Sequence, residues 1–428
     1  MKIGIIGAGF TGLAAGYYLQ QKGHDVTIIE KDSHPGGLAI GYTQKDWDWT
    51  LEHHYHHWFT NDDAILCLAK EIGYPVVIKR PKTSVYIQNQ LFQLDSPIKL
   101  LRFPKLSLFE RLRMAGVFAL LFRLNPFWKS LENIKVTKAL PRLIGKKAYT
   151  IIWEPQLINK MGTFVDQISL VWFWARIKKR TTSLAYPEKG FLPFATSLSN
   201  LIVKNGGAIH YTAETKKIVS QKNKRIVTIL HKGKEEKLEF DRVIVTLPTH
   251  LFTAITPDLP ESYLKTLAKL QGLGATNMVL RLKKPLLTDG TYWLSICDTN
   301  SHIMVVVEHT NFMDKSHYNN EHLVYIGNYM PTYDKKFTAS KEDLFKLYSP
   351  LLKKLNPEFE KSLIGYEVFR APFAQPIVPA NYSRMIPAFT TPLQGVYLAN
   401  MQQVYPWDRG TNYAVELGKK IADTVDKQ

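Results

Sequence analysis

Four histidines within five positions are the side chains of this sequence that most directly suggest chemistry. They are His53, His54, His56 and His57, with Tyr55 among them and Trp58 and Phe59 behind them. A metal site is one interpretation, but adjacent side chains point apart, and metal ligands usually come from one helical turn away or from separate segments. The bulky aromatic neighbours suit a surface that holds a substrate, so we predict no metal. Neutral imidazoles can hydrogen-bond a substrate or move a proton, which makes His56 and His57 catalytic candidates. At least two of the four are expected only to pack.

A second polar cluster follows an apolar run in the second half of the chain. Glu308 and His309 come directly after Met304–Val307, which reads as a buried strand. We take both residues as catalytic candidates, because polar groups at a strand end can face a site. The alternative is an ordinary strand-to-turn transition, where such residues are common.

The start of the chain has the pattern of a dinucleotide-binding unit. An apolar strand, Lys2–Ile6, is followed by a glycine turn, a helical pattern, a second apolar strand at Val26–Ile29 and the acid Glu30; the turn is Gly7, Ala8, Gly9, Phe10, Thr11, Gly12. Glycines permit the tight turn and the close approach of the backbone to a pyrophosphate, which the helix N-terminus attracts. Glu30 is placed to accept hydrogen bonds from a ribose diol, and its charge disfavours NADP.

The segment from Glu30 to Leu38 resembles that of a known group of flavoproteins. Glu30 and Lys31 precede the pair Gly36 and Gly37, as in the extended FAD signature of monoamine oxidases, protoporphyrinogen oxidases, phytoene desaturases and UDP-galactopyranose mutases. The resemblance implies that the cofactor is FAD and that the glycine pair passes its ribityl-phosphate end. Many members have arginine after the pair, whereas this chain has Leu38, so one phosphate contact is expected to be absent.

The C-terminal segment resembles the same group. An apolar strand ends at Ala399 and Asn400, a loop runs from Met401 to Arg409, and a helix begins among residues that the resemblance places at the flavin pyrimidine: Gly410, Thr411, Asn412 and Tyr413. Many relatives have glycine and an acid at the strand end. Here Asn400, or Asp408 and Arg409 in the loop, would supply the polar contact, although Asp408 can instead cap the helix.

Two further positions are interpreted through the resemblance. Aligned on Thr60 and Asn61, His56 matches the first histidine of a segment that passes the isoalloxazine ring in UDP-galactopyranose mutases, and Phe59 replaces the second. His54 and Tyr55 would then also contact the cofactor. Asn277 stands where amine oxidases commonly have a lysine, which weakens the case for amine oxidation.

Composition limits the partners and the compartment. The 428 residues carry a net charge of +18, which indicates an anionic partner, and no motif typical of nucleic-acid binding is visible. Two distant cysteines, Cys67 and Cys297, offer no disulfide framework, so a reducing compartment is expected. No apolar run is long enough to span a bilayer. We therefore expect a cytoplasmic protein, with peripheral contact at the inner face of the membrane left open.

Residues 96–130 mix apolar and cationic side chains. Leucines and phenylalanines alternate with lysines and arginines and lead into an apolar run, Met114–Phe122, which is followed by Phe127 and Trp128. An interfacial membrane helix needs this combination of apolar area and positive charge. The alternative is a core helix with a solvated basic face. Both interpretations stay open from the sequence.

The order of the elements predicts an α/β protein with two units that are each discontinuous in sequence. A Rossmann-type FAD-binding domain, with a parallel sheet and helices, would comprise residues 1–75, 187–252 and 376–428. It would carry a β-hairpin insertion, Ile218–Leu230 against Lys237–Phe240. A mixed α+β substrate domain would comprise residues 76–186 and 253–375. This arrangement is the one that the family resemblance implies.

The preferred function is an FAD-dependent oxidoreductase that accepts a hydride from an organic substrate, either a small molecule or an apolar or lipid-linked one. The alternative is a flavoenzyme similar to UDP-galactopyranose mutase, which acts on a nucleotide- or lipid-linked sugar with no net redox change. A non-catalytic flavoprotein is the third interpretation, and the polar aromatic stretch at Glu52–Phe59 would be unnecessary for it.

Overall fold

The strands are mostly short and lie in five sheets. A computed structural model of the chain describes residues 1–427. In chain order the strands are β1 (Lys2–Ile6), β2 (Asp25–Ile29), β3 (Gly41–Tyr42), β4 (Leu51–Glu52), β5 (Trp58–Phe59), β6 (Val76–Lys79), β7 (Lys82–Ile87), β8 (Gln90–Gln93), β9 (Leu184–Pro187), β10 (Ala208–His210), β11 (Ala213–Gln221), β12 (Lys224–His231), β13 (Lys234–Phe240), β14 (Arg242–Val245), β15 (Gly272–Leu282), β16 (Thr291–Ile296), β17 (Val305–Glu308), β18 (His322–Met330), β19 (Leu363–Pro376) and β20 (Val396–Leu398).

The α-helices are concentrated between β8 and β9 and at the two ends of the chain. They are α1 (Phe10–Gln21), α2 (Asp63–Glu71), α3 (Pro97–Leu101), α4 (Leu108–Val117), α5 (Val136–Ile144), α6 (Lys146–Ala148), α7 (Glu154–Met161), α8 (Leu170–Lys179), α9 (Phe191–Lys204), α10 (Thr249–Ile255), α11 (Glu261–Leu267), α12 (Lys335–Thr338), α13 (Lys341–Leu355), α14 (Phe359–Ser362) and α15 (Thr411–Asp426). A π-helical segment, Phe118–Leu124, extends α4, and another, Tyr149–Trp153, joins α6 to α7. Short 3-10 turns lie at Gly37–Ala39, Trp128–Leu131, Gly162–Gln167, His309–Asn311, Lys315–Tyr318, Tyr382–Arg384 and Met401–Gln403.

The predicted Rossmann-type sheet is present and fully parallel. Its strand order is β10-β2-β1-β14-β20. Ile3 and Ile5 belong to the same buried cluster as residues of α1 and α15. These two helices approach each other closely, because an added Cβ at Gly418 would lie 2.6 Å from the carbonyl oxygen of Thr11. The opposite face of β1 is covered by Phe240 of β13, which packs directly on Gly4.

The insertion that covers this second face is larger than predicted. The sequence suggests two strands, but β11, β12 and β13 form a three-stranded antiparallel sheet. The predicted strand Ile218–Leu230 contains a turn at 222–223, where Lys222 has a φ of 52°. Side-chain patterning did not reveal this turn, because the exposed strand residues are as polar as the turn itself.

The second large sheet has seven strands in the order β19-β15-β18-β17-β16-β7-β8. It is mixed, because β16 and β7 are parallel while the other neighbours are antiparallel. β6 and β9 pair with each other at the places where the sequence predicts that the chain passes between the two units. The domain boundaries themselves stay a prediction.

The helical region between β8 and β9 is interrupted several times. Residues 149–179 form a π-helix, α7, a 3-10 turn and α8 in succession. Gly162, with a φ of 53°, ends α7, and Ser169 caps α8 through the N–H of Val171. Within residues 1–427 the helices all fall short of the length and apolar character that crossing a bilayer requires.

Candidate active site

The glycine turn and the glycine pair pack against each other at the start of α1. Gly7 has a φ of 102°, and an added Cβ at Gly12 would collide with the carbonyl oxygen of Gly7. Gly36 donates its N–H to the carbonyl of Ala8 at 2.9 Å, and an added Cβ at Gly37 would lie 3.1 Å from Gly9. Two segments that are separated in sequence therefore pack closely, most tightly where Gly37 meets Gly9.

The N-terminus of α1 is left free to bind an anion. The helix begins at Phe10, its N-cap is Gly9, and no side chain caps it. The first N–H groups of a helix have no partner within it and carry partial positive charge, so they bind phosphate well. Ala8, Phe10, Thr11 and Gly12 are buried around this end.

Glu30 lies at the end of β2, beside the glycine turn. Its carboxylate accepts the N–H of Ala8 at 2.6 Å and the N–H of Asp32 at 2.9 Å. Burial raises the pKa of Glu30, and these two hydrogen bonds oppose the rise. Each oxygen keeps a free lone pair, so the carboxylate can still accept from a ribose hydroxyl. Lys31 is exposed. Leu38 packs against a small cluster of alanines in the seven-stranded sheet, and its apolar side chain cannot make the phosphate contact of an arginine.

These features fit the dinucleotide half of FAD. A glycine cradle, an uncapped helix N-terminus and an acid at the neighbouring strand end lie together, as a pyrophosphate and a ribose require. The hydroxyl of Thr215, in β11 of the three-stranded sheet, is buried without a partner. Such an unpaired polar group is costly unless a bound molecule satisfies it.

The histidine stretch lies along the mixed sheet, and its four rings have separate partners. His53 stacks on Phe369, with 4.0 Å between the ring centroids. His54 accepts at Nδ1 from the amide of Asn277 at 2.5 Å, and His56 donates from Nδ1 to the carbonyl of His54 at 2.6 Å. His57 forms a 3.0 Å hydrogen bond with the hydroxyl of Tyr292. The rings therefore diverge, and no group of potential metal ligands is found within residues 1–427.

Burial keeps three of these histidines neutral. It lowers the pKa of His54 to about 3, that of His56 to about 4 and that of His57 to about 3. The rings are nonetheless only half-buried, whereas their neighbours Glu52 and Trp58 are fully buried. A half-exposed row between two buried residues is what the wall of an internal site produces.

Tyr55 completes this wall. Its ring lies on Gly327 of β18, where an added Cβ would meet it, and it contacts Trp293 edge-on at 5.1 Å between centroids. Burial raises the pKa of Tyr55 well above its usual value, with a further contribution from Tyr329. Beside it, the side-chain oxygen of Asn277 is buried without a partner.

The N-terminus of α15 meets the end of the histidine stretch. Thr411 accepts the indole N–H of Trp58 at 2.8 Å, and Asn412 accepts the N–H of Ile65 at 3.1 Å. Tyr413 stacks on Trp407. No side chain caps the helix, whose N-cap is Gly410. The two side chains thus tie the helix to residues 58–65 and leave its first backbone N–H groups available.

Asp408 does not cap α15, which corrects one of the two interpretations of this residue. Its carboxylate pairs with Arg176 at 2.8 Å and accepts from Trp172 at 3.3 Å and Gln375 at 3.2 Å. Burial would raise the pKa of Asp408, but Arg176, Lys160 and Arg409 outweigh it and hold the pKa well below its usual value. Asp408 therefore belongs to an ion cluster.

Arg409 extends the cluster toward the mixed sheet. It donates to Gln375 at 3.1 Å and hydrogen-bonds the hydroxyl of Tyr329. Lys160 lies over the ring of Tyr329, 4.5 Å from its centroid. Sequence reasoning missed Lys160, Gln375 and Tyr329, because none belongs to a motif and they come from three distant elements.

Three predicted site residues have structural partners instead. Glu308 is fully buried and accepts the N–H groups of Leu286 and Leu287 at 3.2 and 2.6 Å. His309 hydrogen-bonds Tyr318 at 2.8 Å, and burial lowers its pKa to about 3. Asn400 caps the turn Met401–Gln403 and donates to the carbonyl of Leu247. These partners occupy the side chains of Glu308, His309 and Asn400, and their role as site residues stays a prediction.

Comparisons with known proteins agree with this geometry. A relative is the coproporphyrinogen III oxidase of Staphylococcus aureus, 27% identical over 295 residues, which are 59% of this chain and 61% of that protein. A 4,4'-diapophytoene desaturase of Staphylococcus aureus is 57% identical over 46 residues, 11% of this chain and 9% of that protein. The chain thus spans less than two thirds of the length of these relatives. They give no support to the mutase alternative.

Solved structures share the fold over the whole chain. Putrescine oxidase superimposes with a TM-score of 0.75 at 15% identity, covering 100% of both chains. An oxidoreductase from Methanosarcina mazei superimposes with a TM-score of 0.75 at 20% identity, also covering 100% of both. The family described as "Flavin containing amine oxidoreductase" matches residues 10–425. The protein therefore belongs to the flavin-containing amine oxidoreductase family, and its cofactor is FAD.

Proposed function

We propose that this protein oxidises an organic substrate by transferring a hydride to FAD at the wall formed by residues 53–57. The observation that carries the proposal is the convergence of this half-exposed wall with the uncapped N-terminus of α15, through the hydrogen bond from Trp58 to Thr411. When bound, the flavin supplies the hydride acceptor. The protein's residues must then hold the substrate, exclude water and stabilise charge.

Each of these tasks has residues suited to it. The free N–H groups of α15 would stabilise the negative charge that develops on the reduced cofactor, because a helix N-terminus carries partial positive charge. Neutral His54, His56 and His57 can hydrogen-bond without adding charge. The rings of Tyr55 and Trp293 cover the mixed sheet and restrict water. The oxidation also releases a proton from the substrate, which passes to solvent when the substrate carbon is already activated.

The test is an anaerobic half-reaction with the FAD-loaded protein. The oxidised protein is mixed separately with a lipid extract and a polar-metabolite extract of the source cell, and the flavin absorbance is recorded. Bleaching by one extract supports the proposal and gives the polarity of the substrate. If neither extract bleaches the flavin, the oxidoreductase proposal is refuted.

We further propose that residues 96–130 rest on an anionic membrane surface, which would suit an apolar or lipid-linked substrate. The exposed large apolar side chains of this segment are Ile98, Leu101, Leu108, Phe109, Leu112, Leu120, Leu124 and Phe127. Phe109 is 72% exposed and Phe127 is 75% exposed. Arg102, Arg113 and Lys129 are exposed among them. A core helix with a basic outer face would instead bury its apolar residues.

Vesicle co-sedimentation tests the membrane proposal. The FAD-loaded protein is expected to bind vesicles that contain phosphatidylglycerol, more weakly at high salt, because part of the attraction is electrostatic. The triple variant F109S/L120S/F127S should lose binding. The control V203S/L251S, at exposed apolar positions elsewhere, should retain it. An unbound protein at low salt would refute the proposal.

A further inference from the structure

Three basic side chains lie around the carboxylate of Asp408, beside the wall of residues 53–57, and Arg176 is the one that pairs with it. Arg176 pairs with Asp408 at 2.8 Å, Arg409 follows Asp408 in the chain, and Lys160 reaches the cluster from α7. All three basic side chains lower the pKa of Asp408. The effect of Arg176 is the largest, followed by those of Lys160 and Arg409. The two guanidinium groups of Arg176 and Arg409 face one carboxylate, so the cluster has more positive than negative charge even when Lys160 is not counted.

The surrounding groups do not correct this imbalance. The ionisable groups that act on Lys160 are Arg176, Asp408 and Arg409, and burial together with Arg176 lowers the pKa of Lys160 well below its usual value. On the side of Arg409 that faces the wall of residues 53–57, the titratable groups are His54, His56, Tyr55 and Tyr329. Burial lowers the pKa of the two histidines and raises the pKa of Tyr55, so all three are neutral. Excess charge in a partly desolvated place is unfavourable unless an anion compensates it.

The cations are held apart by aromatic rings in a defined geometry. Lys160 and Arg409 approach the ring of Tyr329, at 4.5 and 5.0 Å from its centroid. Arg176 and Lys160 approach the ring of Trp172, at 5.0 and 5.9 Å. Arg176 uses one N–H donor on Asp408, and Arg409 uses two on Gln375 and Tyr329, so each guanidinium keeps further donors. The donors are thus preorganised to receive an oxyanion.

A cavity shares Tyr329 with the cluster, although Lys160, Arg176 and Arg409 do not line it themselves. Its volume is about 320 Å³, and the residues that line it include Asn159, Met161, Asn328 and Tyr329. The first two flank Lys160 in α7, and Tyr329 is the residue whose ring and hydroxyl contact Lys160 and Arg409. A cavity of this size is within the range that holds a small organic molecule.

We propose that Lys160, Arg176 and Arg409 bind an oxyanion of the substrate, a carboxylate or a phosphate. The inference rests on the proposed function and names the substrate class for it: the molecule that is oxidised carries a negative group, which the cluster holds beside Tyr329. Arg176 and Arg409 supply guanidinium donors suited to two oxygens at once, and Lys160 supplies a point charge.

Binding to the FAD-loaded protein tests the inference without turnover. Benzoate and inorganic phosphate are the probes, and benzamide is the uncharged control with the shape of benzoate. The fluorescence of tryptophan, which includes Trp172 in the cluster, reports binding, and free flavin fluorescence reports loss of cofactor. We expect one of the anions to bind without releasing FAD, and benzamide not to bind. Benzoate binding would favour a carboxylate substrate, and phosphate binding a phosphorylated one.

Variants locate the site. K160Q and R176Q should each weaken anion binding by about tenfold or more, as expected for loss of a charge-assisted hydrogen bond. K160R should retain binding, because it keeps the charge. K178Q is the matched control on α8, since Lys178 donates to the carbonyl of Arg123 away from the cluster. Equal affinity in K160Q and K178Q would overturn the inference, as would release of FAD by the anion.

Failure of this inference is distinguishable from failure of the proposed function. Bleaching of the flavin by an extract, in a protein that binds neither anion, would refute the oxyanion site and leave the oxidoreductase proposal standing. Anion binding that K160Q weakens, in a protein whose flavin no extract bleaches, would support the site and refute the function.

Discussion

The buried acid Glu52 gives the sharpest prediction about stability. It precedes the histidine stretch and is fully buried, with the hydroxyl of Tyr186 at 2.8 and 2.9 Å from its two oxygens and the N–H of Phe191 at 2.9 Å from one of them. Burial raises the pKa of Glu52 from 4.5 to about 7, and these donors only partly oppose the rise. The folded protein therefore holds a proton that the unfolded chain releases.

The sign and size of the effect come from this difference. Below about pH 4.5 both states hold the proton, and Glu52 adds no pH dependence. As the pH rises toward 7, the unfolded chain loses the proton first, so the folded state becomes less stable. The pKa of Glu52 is about 2.5 higher in the folded protein than in the unfolded chain. At about 1.4 kcal/mol for each pKa unit, this difference lowers the free energy of unfolding by roughly 3 kcal/mol. This loss should be complete by about pH 8.

The variant E52Q isolates this contribution, because glutamine has the shape of the protonated acid and does not titrate. We expect E52Q and the unmodified protein to have similar unfolding midpoints near pH 5. Near pH 8 the variant should be more stable by about 3 kcal/mol. Urea unfolding with saturating FAD, followed by tryptophan fluorescence, measures the difference, and E261Q at an exposed position is the control. A difference that does not change with pH would refute the reasoning.

Three other perturbations have definite expected outcomes. In G12V the new side chain would collide with the carbonyl of Gly7, so FAD affinity should fall by about tenfold or more. The control G116A, where an added Cβ meets nothing, should bind FAD normally. Equal flavin content in both variants would contradict the role of the glycine turn in binding FAD. G418V should separate α1 from α15 and destabilise the protein by about 1–3 kcal/mol, and an unchanged thermal midpoint would show that the helices can adjust. D408N removes the carboxylate of the ion cluster, so it should lower the free energy of unfolding by about 1–3 kcal/mol. Because the cations then lack their negative partner, benzoate should bind several-fold more tightly in the fluorescence titration. Weaker benzoate binding would indicate that Asp408 positions the cations.

The cofactor end of the molecule could be predicted because it depends on local sequence. Glycines at positions 7, 9 and 12 permit one turn between a strand and a helix, and that turn directs backbone N–H groups at a phosphate wherever it occurs. The same holds for Gly410, where α15 begins without a side-chain cap. Backbone groups need only the right φ and ψ angles, which neighbouring residues determine.

The partners of the buried polar side chains could not be predicted in this way. Glu308 ends strand β17, as a site residue could, but the backbone N–H groups that donate to its carboxylate belong to residues 286 and 287. Asp408 is suitably placed to cap α15, yet Arg176, from a helix far away in sequence, attracts it more strongly. Each outcome depends on a partner that local spacing does not reveal.

The sequence by itself determined the family, the cofactor and the strand–turn–helix unit that binds the dinucleotide. The tertiary structure alone decided which charged side chains share a site. Lys160, Arg176 and Arg409 come from α7, α8 and the loop before α15, and they meet because these elements pack around Trp172 and Tyr329. Electrostatic energy depends on distances between side chains and on their exclusion from water, and both arise only when distant segments pack together.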